Sequence, residues 1–539
     1  MRGDRGRRWN AAGARSVWGW GLAADEPTDE QRRKLAGSLA RRYGIEPRVE
    51  QAVPVEEAEL RAPRLAVPAT LAGVCTTERA ERARHAYGMA YTDRLRAFRG
   101  MFDAPPDAVA YPADDGELAA VLDWCDGAGH VVVPFGGGSS VVWGVNPPAE
   151  TAGVVTVDLT AMDRVLEIDH VSRAARIQAG ALGPAVEDQL RPHGLTLRHF
   201  PQSFEWSTVG GWIATRSGGH YATNHTHIDD FVESVRMLTP AGWWESRRLP
   251  GSGAGPSPDR LVLGSEGTLG IVTEAWLRLQ RRPEFRATAG VVFPSWEAGW
   301  RGVQAIAQAK LWPANLRILD PVEAERGAGL DGRRALVIVG FESADVSQRA
   351  NVAAAVALAR EHGGEVDDDQ VRVTDGAAPS GRGGAVGAWR DSFVGFDINT
   401  ATGLGLVADT FETAVTWDRW PDFDAAVRAA MGRALEEVCG VGLLSCRFTH
   451  VYPDGPAPYY TFAGMGSQGA EERQWADLKA AASEAVVAAG GTITHHHAVG
   501  RMHRPGYDRQ RPDLFAAALR AAKRTLDPRG LLNPGVLID

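Results

Sequence analysis

Cysteine is scarce in this chain. Cys75, Cys125, Cys439 and Cys446 are the four among 539 residues, and none stands in a CxxC pair. A disulfide-built scaffold is excluded. So is a four-thiolate metal site, which needs a second close pair. Reduced cysteines fit a cytoplasmic setting. A basic surplus is missing too, because the formal net charge is -9. Nucleic acid, which demands a basic footprint, is not an expected partner, although a local anion site stays open. Long apolar runs are also lacking. No stretch is long enough to span a bilayer, and no apolar signal core follows the basic start Met1-Arg2-Gly3-Asp4-Arg5 before Trp18. A cytoplasmic protein is therefore expected. Peripheral contact with a membrane stays open, since a few exposed aromatic side chains are enough for it.

What is present is ordinary for a globular chain: 44% apolar and 23% charged residues, with length for more than one core. Residues 1–100 read as a helix-rich leader. There Thr28-Asp29-Glu30-Gln31 caps a short amphipathic helix through Leu35 and Leu39, and the Trp18-Gly19-Trp20-Gly21 tract packs on the body. Over 101–283, strand-like runs at 131–135, 154–157, 165–168, 231–238 and 271–279 alternate with helices and glycine-rich turns, which is a mixed α/β unit. Over 284–500 the rhythm becomes strand–helix–strand, as for an antiparallel sheet covered by helices. Residues 501–539 form a turn-rich close that returns to the first unit. Gly251 to Pro258 and the stretch 363–387 read as surface loops.

Phe135-Gly136-Gly137-Gly138-Ser139-Ser140 follows a strand directly. Successive glycines let the backbone turn tightly and point N–H groups inward, a nest for a phosphate or pyrophosphate. The loop lacks the Gly-x-Gly-x-x-Gly spacing and the Gly-Lys-Ser/Thr ending of the common nucleotide motifs. Taken alone it is equally a bland turn. It has partners in order: Ser207-Thr208-Val209-Gly210-Gly211, Gly218-Gly219, and Gly264-Ser265-Glu266-Gly267-Thr268-Leu269-Gly270 before the strand at Ile271. Several glycine-rich turns in one unit suit a long ligand lying across them.

The richest group for chemistry is Thr494-His495-His496-His497. On an extended segment His495 and His497 would share one side and His496 the other, which argues against zinc even with His450 nearby, so no metal is expected. Imidazoles near neutrality suit proton transfer instead. Arg317 and Arg447 stand within apolar strands, where a guanidinium is costly unless paired. Pairing with Asp320 or Glu412 is one account, and clamping a carboxylate or phosphate is the other. Tyr459 or Tyr460, after a Pro-Asp-Gly-Pro turn, can present a hydroxyl.

Together the loop at Phe135 to Ser140, the turns at Ser207 to Gly211 and Gly264 to Gly270, and the C-terminal Leu532-Asn533-Pro534-Gly535 tract resemble the vanillyl-alcohol oxidase/p-cresol methylhydroxylase superfamily, over roughly residues 100–539. The resemblance implies an α+β fold: a PCMH-type FAD-binding domain of two α/β subdomains under a cap domain with an antiparallel sheet. It implies FAD bound around Pro134, Gly136, Gly137, Gly138, Ser139, Ser140, Pro201, Ser207, Thr208, Gly210, Gly211, Gly264, Glu266, Gly267, Thr268, Gly270 and Ile271. Ser139 and Ser140 stand where some members attach the flavin to histidine, so the FAD is expected to be non-covalent.

Within the superfamily, Pro313 to Asp320, Phe411 to Ala414 with Trp417-Asp418-Arg419, Cys446 to Tyr452 and His495 to Gly500 resemble the alkyldihydroxyacetonephosphate synthases. That resemblance implies exchange of the acyl chain of acyl-dihydroxyacetone phosphate for a fatty alcohol, with flavin N5 holding the substrate carbon in between. Arg317, Tyr459, His496 and His497 match active-site residues of that family, and a homodimer is expected. The family's second active-site arginine has no clear counterpart. Gly395 to Thr400 lacks one, and Arg390, the nearest, would have to join Arg317 and Arg447 on the substrate. The alternative is an FAD-dependent oxidase or dehydrogenase of a 2-hydroxy acid such as D-lactate or glycolate, whose Gly-Asp-Gly-Asn tract Tyr452-Pro453-Asp454-Gly455-Pro456 does not reproduce. A non-enzymatic flavin-binding protein would leave the histidines and strand arginines unexplained.

Overall fold

The computed structural model describes residues 13–539 apart from 45, 226, 368–369 and 377–397. Thr28 opens helix α1 (Asp29–Tyr43). Its hydroxyl accepts the Gln31 N–H, and the Gln31 side chain accepts the Thr28 N–H, which satisfies donors that a helix start leaves open. Trp18 is buried edge-on against Phe98 of α2 (Tyr91–Phe98), with ring centroids 5.0 Å apart. The leader is less helical than expected, because residues 46–74 run mostly in irregular backbone.

Two larger sheets build the first half, beside a two-stranded pairing of Leu195–Thr196 with Gln280–Arg281. One has the order β1 (Cys75–Thr76), β2 (Ala108–Ala110), β4 (Val154–Asp158), β3 (Val131–Phe135). Its last three strands are parallel, and helix α3 (Asp115–Ala128) makes the crossover that parallel strands need. Every residue of β4 is buried, which is why it reads as a continuous valine run. The second sheet is antiparallel, in the order β5 (Val165–Asp169), β6 (Ala174–Gln178), β9 (Ile271–Arg278), β7 (Val232–Thr239), β8 (Gly242–Glu245). A single apolar core joins both sheets with α4 (Gly183–Leu190) and α5 (Val209–Thr215), through Val132, Ile177, Leu190, Trp212, Val235 and Ile271.

The second half is one antiparallel sheet of seven strands. Its order is β13 (Val371–Asp375), β10 (Phe285–Phe293), β12 (Ala335–Ser343), β11 (Asn315–Leu319), β15 (Gly442–Val451), β16 (Pro456–Met465), β14 (Leu406–Glu412). Helices α6 (Trp296–Gln308), α8 (Arg349–Glu361), α9 (Trp420–Cys439) and α10 (Glu471–Ala488) share a core with one face of it, through Ile318, Val337, Phe411, Phe448, Tyr460 and Phe462. Helix α7 (Pro321–Ala328) packs Ala324 on the other face, against Leu319 and Ile338. Two strands of this sheet were not expected, β14, and β13, which lies inside the stretch read as a surface loop; nor were β1, β2, β6 and β8 of the first half. Residues 377–387 of that stretch are outside the described residues.

After α11 (Arg504–Gln510) and α12 (Asp513–Leu526) the chain turns back to the first sheet. Val132 N–H donates to the Leu531 carbonyl and Asn533 N–H to the Val132 carbonyl, both at 2.9 Å.

Candidate active site

Between the first-half turns and the face of the large sheet that carries α7 lies a cavity of about 1600 Å³, roomier than the ~300–1,000 Å³ of most ligand pockets. Gly136, Gly137, Gly138, Ser139 and Ser140 line it, with Pro134, Pro201, Ser207, Thr208, Gly210, Gly211, Glu266, Gly267, Gly270 and Ile271. Glycine is required in the loop: a Cβ on Gly137 would lie 1.7 Å from the Trp206 carbonyl oxygen, and Gly138 has φ +65°. Two turns thus press backbone on backbone, and together they offer the cavity a wall of main chain. Two residues expected there do not line it. Gly264 turns at φ +80° against Arg216, and the Thr268 hydroxyl donates to the Ser265 carbonyl at 2.7 Å; both shape the third turn from behind.

The large sheet supplies the opposite wall, and strand alternation decides which residues face it. Glu412, Tyr459 and Arg447 stand in register across β14, β16 and β15. Tyr459 enters the cavity, whereas Tyr460 points into the helix-covered core and donates to Asp424 at 2.8 Å. The Tyr459 hydroxyl donates to Thr410 Oγ1 at 3.0 Å, and the Arg447 guanidinium lies over the Tyr459 ring at 4.4 Å. Along the same face the lining passes Ser445, Thr410 and Thr461 and becomes richer in apolar side chains, Leu443, Ala463, Leu406 and Met465, toward Leu35 and Leu39 of α1, with Arg94, Arg99 and Glu471 also lining the cavity. Tyr459 and Met465 are six residues apart on one strand, so ~20 Å separates the polar end from the apolar one.

Neither arginine pairs as expected. Arg447 donates to Glu323 of α7 at 2.8 Å. Asp320 is taken by Arg428 and by the Cys446 N–H, and Glu412 by the histidine loop. Arg317, 3% exposed, meets His220 Nδ1. Burial, then repulsion from Arg447, lowers Arg317 to about 10, and burial, then the two arginines, holds His220 well below the usual histidine range. Arg390 lies outside the described residues.

The segment 494–500 is not extended, which corrects the expected alternation of its histidines. It curls over the Glu412 carboxylate, which accepts the N–H of His495 (2.6 Å), His496 (3.2 Å) and His497 (2.9 Å) and the Thr494 hydroxyl (2.6 Å). Glu266, at φ +51°, accepts the N–H of Val499 (2.9 Å) and Gly500 (2.7 Å). Two buried carboxylates, one from each half of the chain, thus hold one loop by its backbone. The curl brings together His495 and His496, whose Nδ1 atoms are 3.0 Å apart. Tyr459 stacks along His496 with centroids at 5.9 Å and meets His497 edge-on at 5.5 Å.

Burial moves Glu412 upward, but the three histidines and the Thr494 hydroxyl hold it well below the usual carboxylate range. Burial lowers His496 from 6.5 to about 3 against the pull of Glu412, so this ring is a neutral donor–acceptor at physiological pH. Burial raises Tyr459, with Arg447 and Thr410 opposing. His450 places its Nε2 on the Gly219 carbonyl at 3.0 Å. Ring nitrogens of His450, His495 and His496 come within 4.8 Å of one another, near enough for one cation, although Arg317 close by opposes positive charge there.

His220, His227, Tyr452 and Thr410 were missed. The sequence signs were Gly218-Gly219 ahead of His220, read as a turn against a flat ligand, and the family-like segment Cys446 to Tyr452, in which Tyr452 was not singled out.

Residues 106–246 match the model "FAD binding domain" and residues 282–537 match "FAD linked oxidases, C-terminal domain". The chain has the PCMH-type FAD-binding fold. FAD is its cofactor, held without a covalent bond. The glycine turns and the size of the cavity fit that group: the loop from Gly136 to Ser140 would hold it with the Ser207 and Glu266 turns. Among flavoproteins of this type the chain is similar to the alkyldihydroxyacetonephosphate synthase of Trypanosoma brucei brucei, 29% identical over 85% of this chain and 77% of that protein. It is 26% identical to a glycolate oxidase subunit of Bacillus subtilis (strain 168), over 80% of this chain and 89% of that one. A solved alkyldihydroxyacetonephosphate synthase superposes with TM-score 0.80 at 23% identity, covering 96% of this flavoprotein and 98% of that chain. A p-cresol methylhydroxylase with bound substrate gives 0.65 at 13%, covering 86% and 94%. Both show the shared fold.

Proposed function

We propose that this flavoprotein is an alkyldihydroxyacetonephosphate synthase-like transferase, which replaces the acyl chain of acyl-dihydroxyacetone phosphate with a fatty alcohol in ether lipid synthesis. The observation that carries it is the sheet face described above, with cations at one end and, about 20 Å along the strand, an end where Leu35, Leu39, Leu406, Leu443, Ala463 and Met465 join the lining. A small 2-hydroxy acid would use the cations and leave that end without a purpose.

In this reading residues 101–283 hold FAD, 284–500 form the cap, and 501–539 close on the FAD domain. Arg317 and Arg447, with the neutral His220, hold the anionic head. Arg390 is the further arginine to test for the phosphate. The flavin, when bound, supplies a ring that can take and return an electron pair at N5. Tyr459 and His496 handle protons: Tyr459 gives or takes one at its hydroxyl, and His496 does so at a ring nitrogen, with His497 bracing the tyrosine ring edge-on. Glu412 keeps both histidines in place through their N–H groups and stays ionised throughout. The leaving carboxylate and the entering alcohol use the end of the cavity lined by Leu406, Leu443 and Met465.

A lipid substrate suits a cytoplasmic homodimer in peripheral contact with a bilayer; among the described residues no helix is long and apolar enough to cross one. The test is product analysis. FAD-loaded protein given palmitoyl-dihydroxyacetone phosphate and hexadecanol should release palmitate and form the ether in equal amounts. Hydrolysis without ether formation, or no release at all, would sink this reading.

A further inference from the structure

The site has a second, outward side. His495 does not line the cavity, and both its ring nitrogens are engaged. Nδ1 faces His496 Nδ1 at 3.0 Å, and Nε2 faces the Tyr452 hydroxyl at 3.0 Å and His227 Nε2 at 3.2 Å. Tyr452 and His227 also meet each other, at 3.4 Å. Neither lines the cavity, and both are partly exposed, whereas His496 does line it. A neutral imidazole carries one N–H and one lone pair. A ring bonded at both nitrogens therefore takes a proton on one side as it gives one on the other. The surroundings keep the rings neutral: burial lowers His227 and His495, while Glu412 lies beneath the loop. Asp229, Asp230 and Arg216 face His227, Asp454 faces Tyr452, and His450 packs on His495 at 5.0 Å.

We propose that Tyr452, His227 and His495 form a proton relay joining His496 in the cavity to the outer side of the cap. The inference rests on the proton-transfer role given to His496 in the proposed function. Inward, Tyr452 O–H or His227 N–H gives its proton to His495 Nε2 and is replenished from solvent. His495 Nδ1–H passes to His496 Nδ1, and His496 Nε2–H is released to the cavity. Each hop breaks one O–H or N–H bond and forms another, so one proton crosses and no electrons move. Passage in the opposite direction, in the other half of the exchange, restores the tautomers. The device gives protons a route to the reaction that does not pass through the substrate's end of the cavity.

The test compares FAD-loaded Tyr452→Phe, His227→Gln and the double variant. Each single variant keeps the other route and should lose about twofold to fivefold in kcat, and the double variant roughly 10–100-fold, the lower part of what positioned proton transfer contributes. KM should stay within about twofold, as expected when only proton transfer is touched. The solvent deuterium effect on kcat should rise, and added imidazole should restore much of the rate. Unchanged turnover in the double variant, or a loss that imidazole cannot restore, would overturn the relay. So would a stoichiometric divalent metal in the purified protein that disappears in His495→Gln, since those nitrogens would then be ligands. Should His227→Gln fail to fold, Tyr452→Phe, which removes one oxygen, decides by its isotope effect and rescue. Wild-type products alone judge the synthase reading. The relay is judged by the ratio of variant to wild type on whichever substrate the wild type turns over.

Discussion

On the FAD side of the cavity the wall is main chain: three glycine-rich turns packed on one another, backed by a core of valine, isoleucine and tryptophan. On the opposite side the wall is side chain: two arginines, a tyrosine and His450 standing on a sheet whose other face is apolar, with His220 and the imidazoles of the 494–500 loop beside them. Backbone contacts accept a ligand by shape and change little with pH. Buried ionisable groups depend on every neighbour, because the cost of desolvation is balanced locally. The first wall is therefore suited to a resident cofactor and the second to chemistry.

Substitutions should separate the two walls. The largest effect is expected from Gly137→Ala, whose new Cβ meets the Trp206 carbonyl; the purified protein should lack the flavin absorbance. Tyr459→Phe should keep its FAD and lose roughly 10²–10⁴-fold in kcat, the usual contribution of a positioned acid–base group, read by turnover at saturating substrate. Arg317→Met should also keep its FAD. Removing a buried cationic contact costs about 2–5 kcal/mol, so KM should rise by roughly 30-fold or more.

Acidity should act on the cap wall. His496, lowered from 6.5 to about 3, favours the fold fully above 6.5 and loses that contribution as pH falls toward 3. Glu412, held low, is lost in the same direction. Glu266 works the other way, because burial raises it from 4.5 to about 7; it favours the fold below 4.5 and loses this as pH rises to 7. Tm should therefore fall on acidification below 6.5, and fall more steeply in Glu266→Gln. Thermal scans from pH 7 to pH 4 check both slopes. The smallest effect is expected at the end of the cavity lined by Leu406, Leu443 and Met465. Val441→Glu, at a position 82% exposed, should leave folding intact and raise KM several-fold for long-chain substrates only.

The same contrast explains what could be read from the residues alone. The glycine turns were legible because two of them adjoin a strand, the third opens a helix, and local geometry demands glycine. The cap was legible as strands and helices, since period-two and period-3.6 patterns are local. Its site was only partly so. Leu406–Glu412 becomes a strand by pairing with β16, a tertiary event, and the histidine loop abandons the extended form because Glu412 and Glu266 draw its N–H groups inward. His220, His227 and Tyr452 reach the site from distant segments, and single residues at that separation leave no pattern.

The most direct test of the account is anaerobic mixing of the FAD-loaded protein with palmitoyl-dihydroxyacetone phosphate, and separately with D-lactate and glycolate, while the flavin spectrum is recorded. The account predicts loss of the oxidised-flavin band with the lipid alone, its return when hexadecanol is added, and no response to either hydroxy acid. Silence toward the lipid with clean two-electron reduction by D-lactate or glycolate would contradict it.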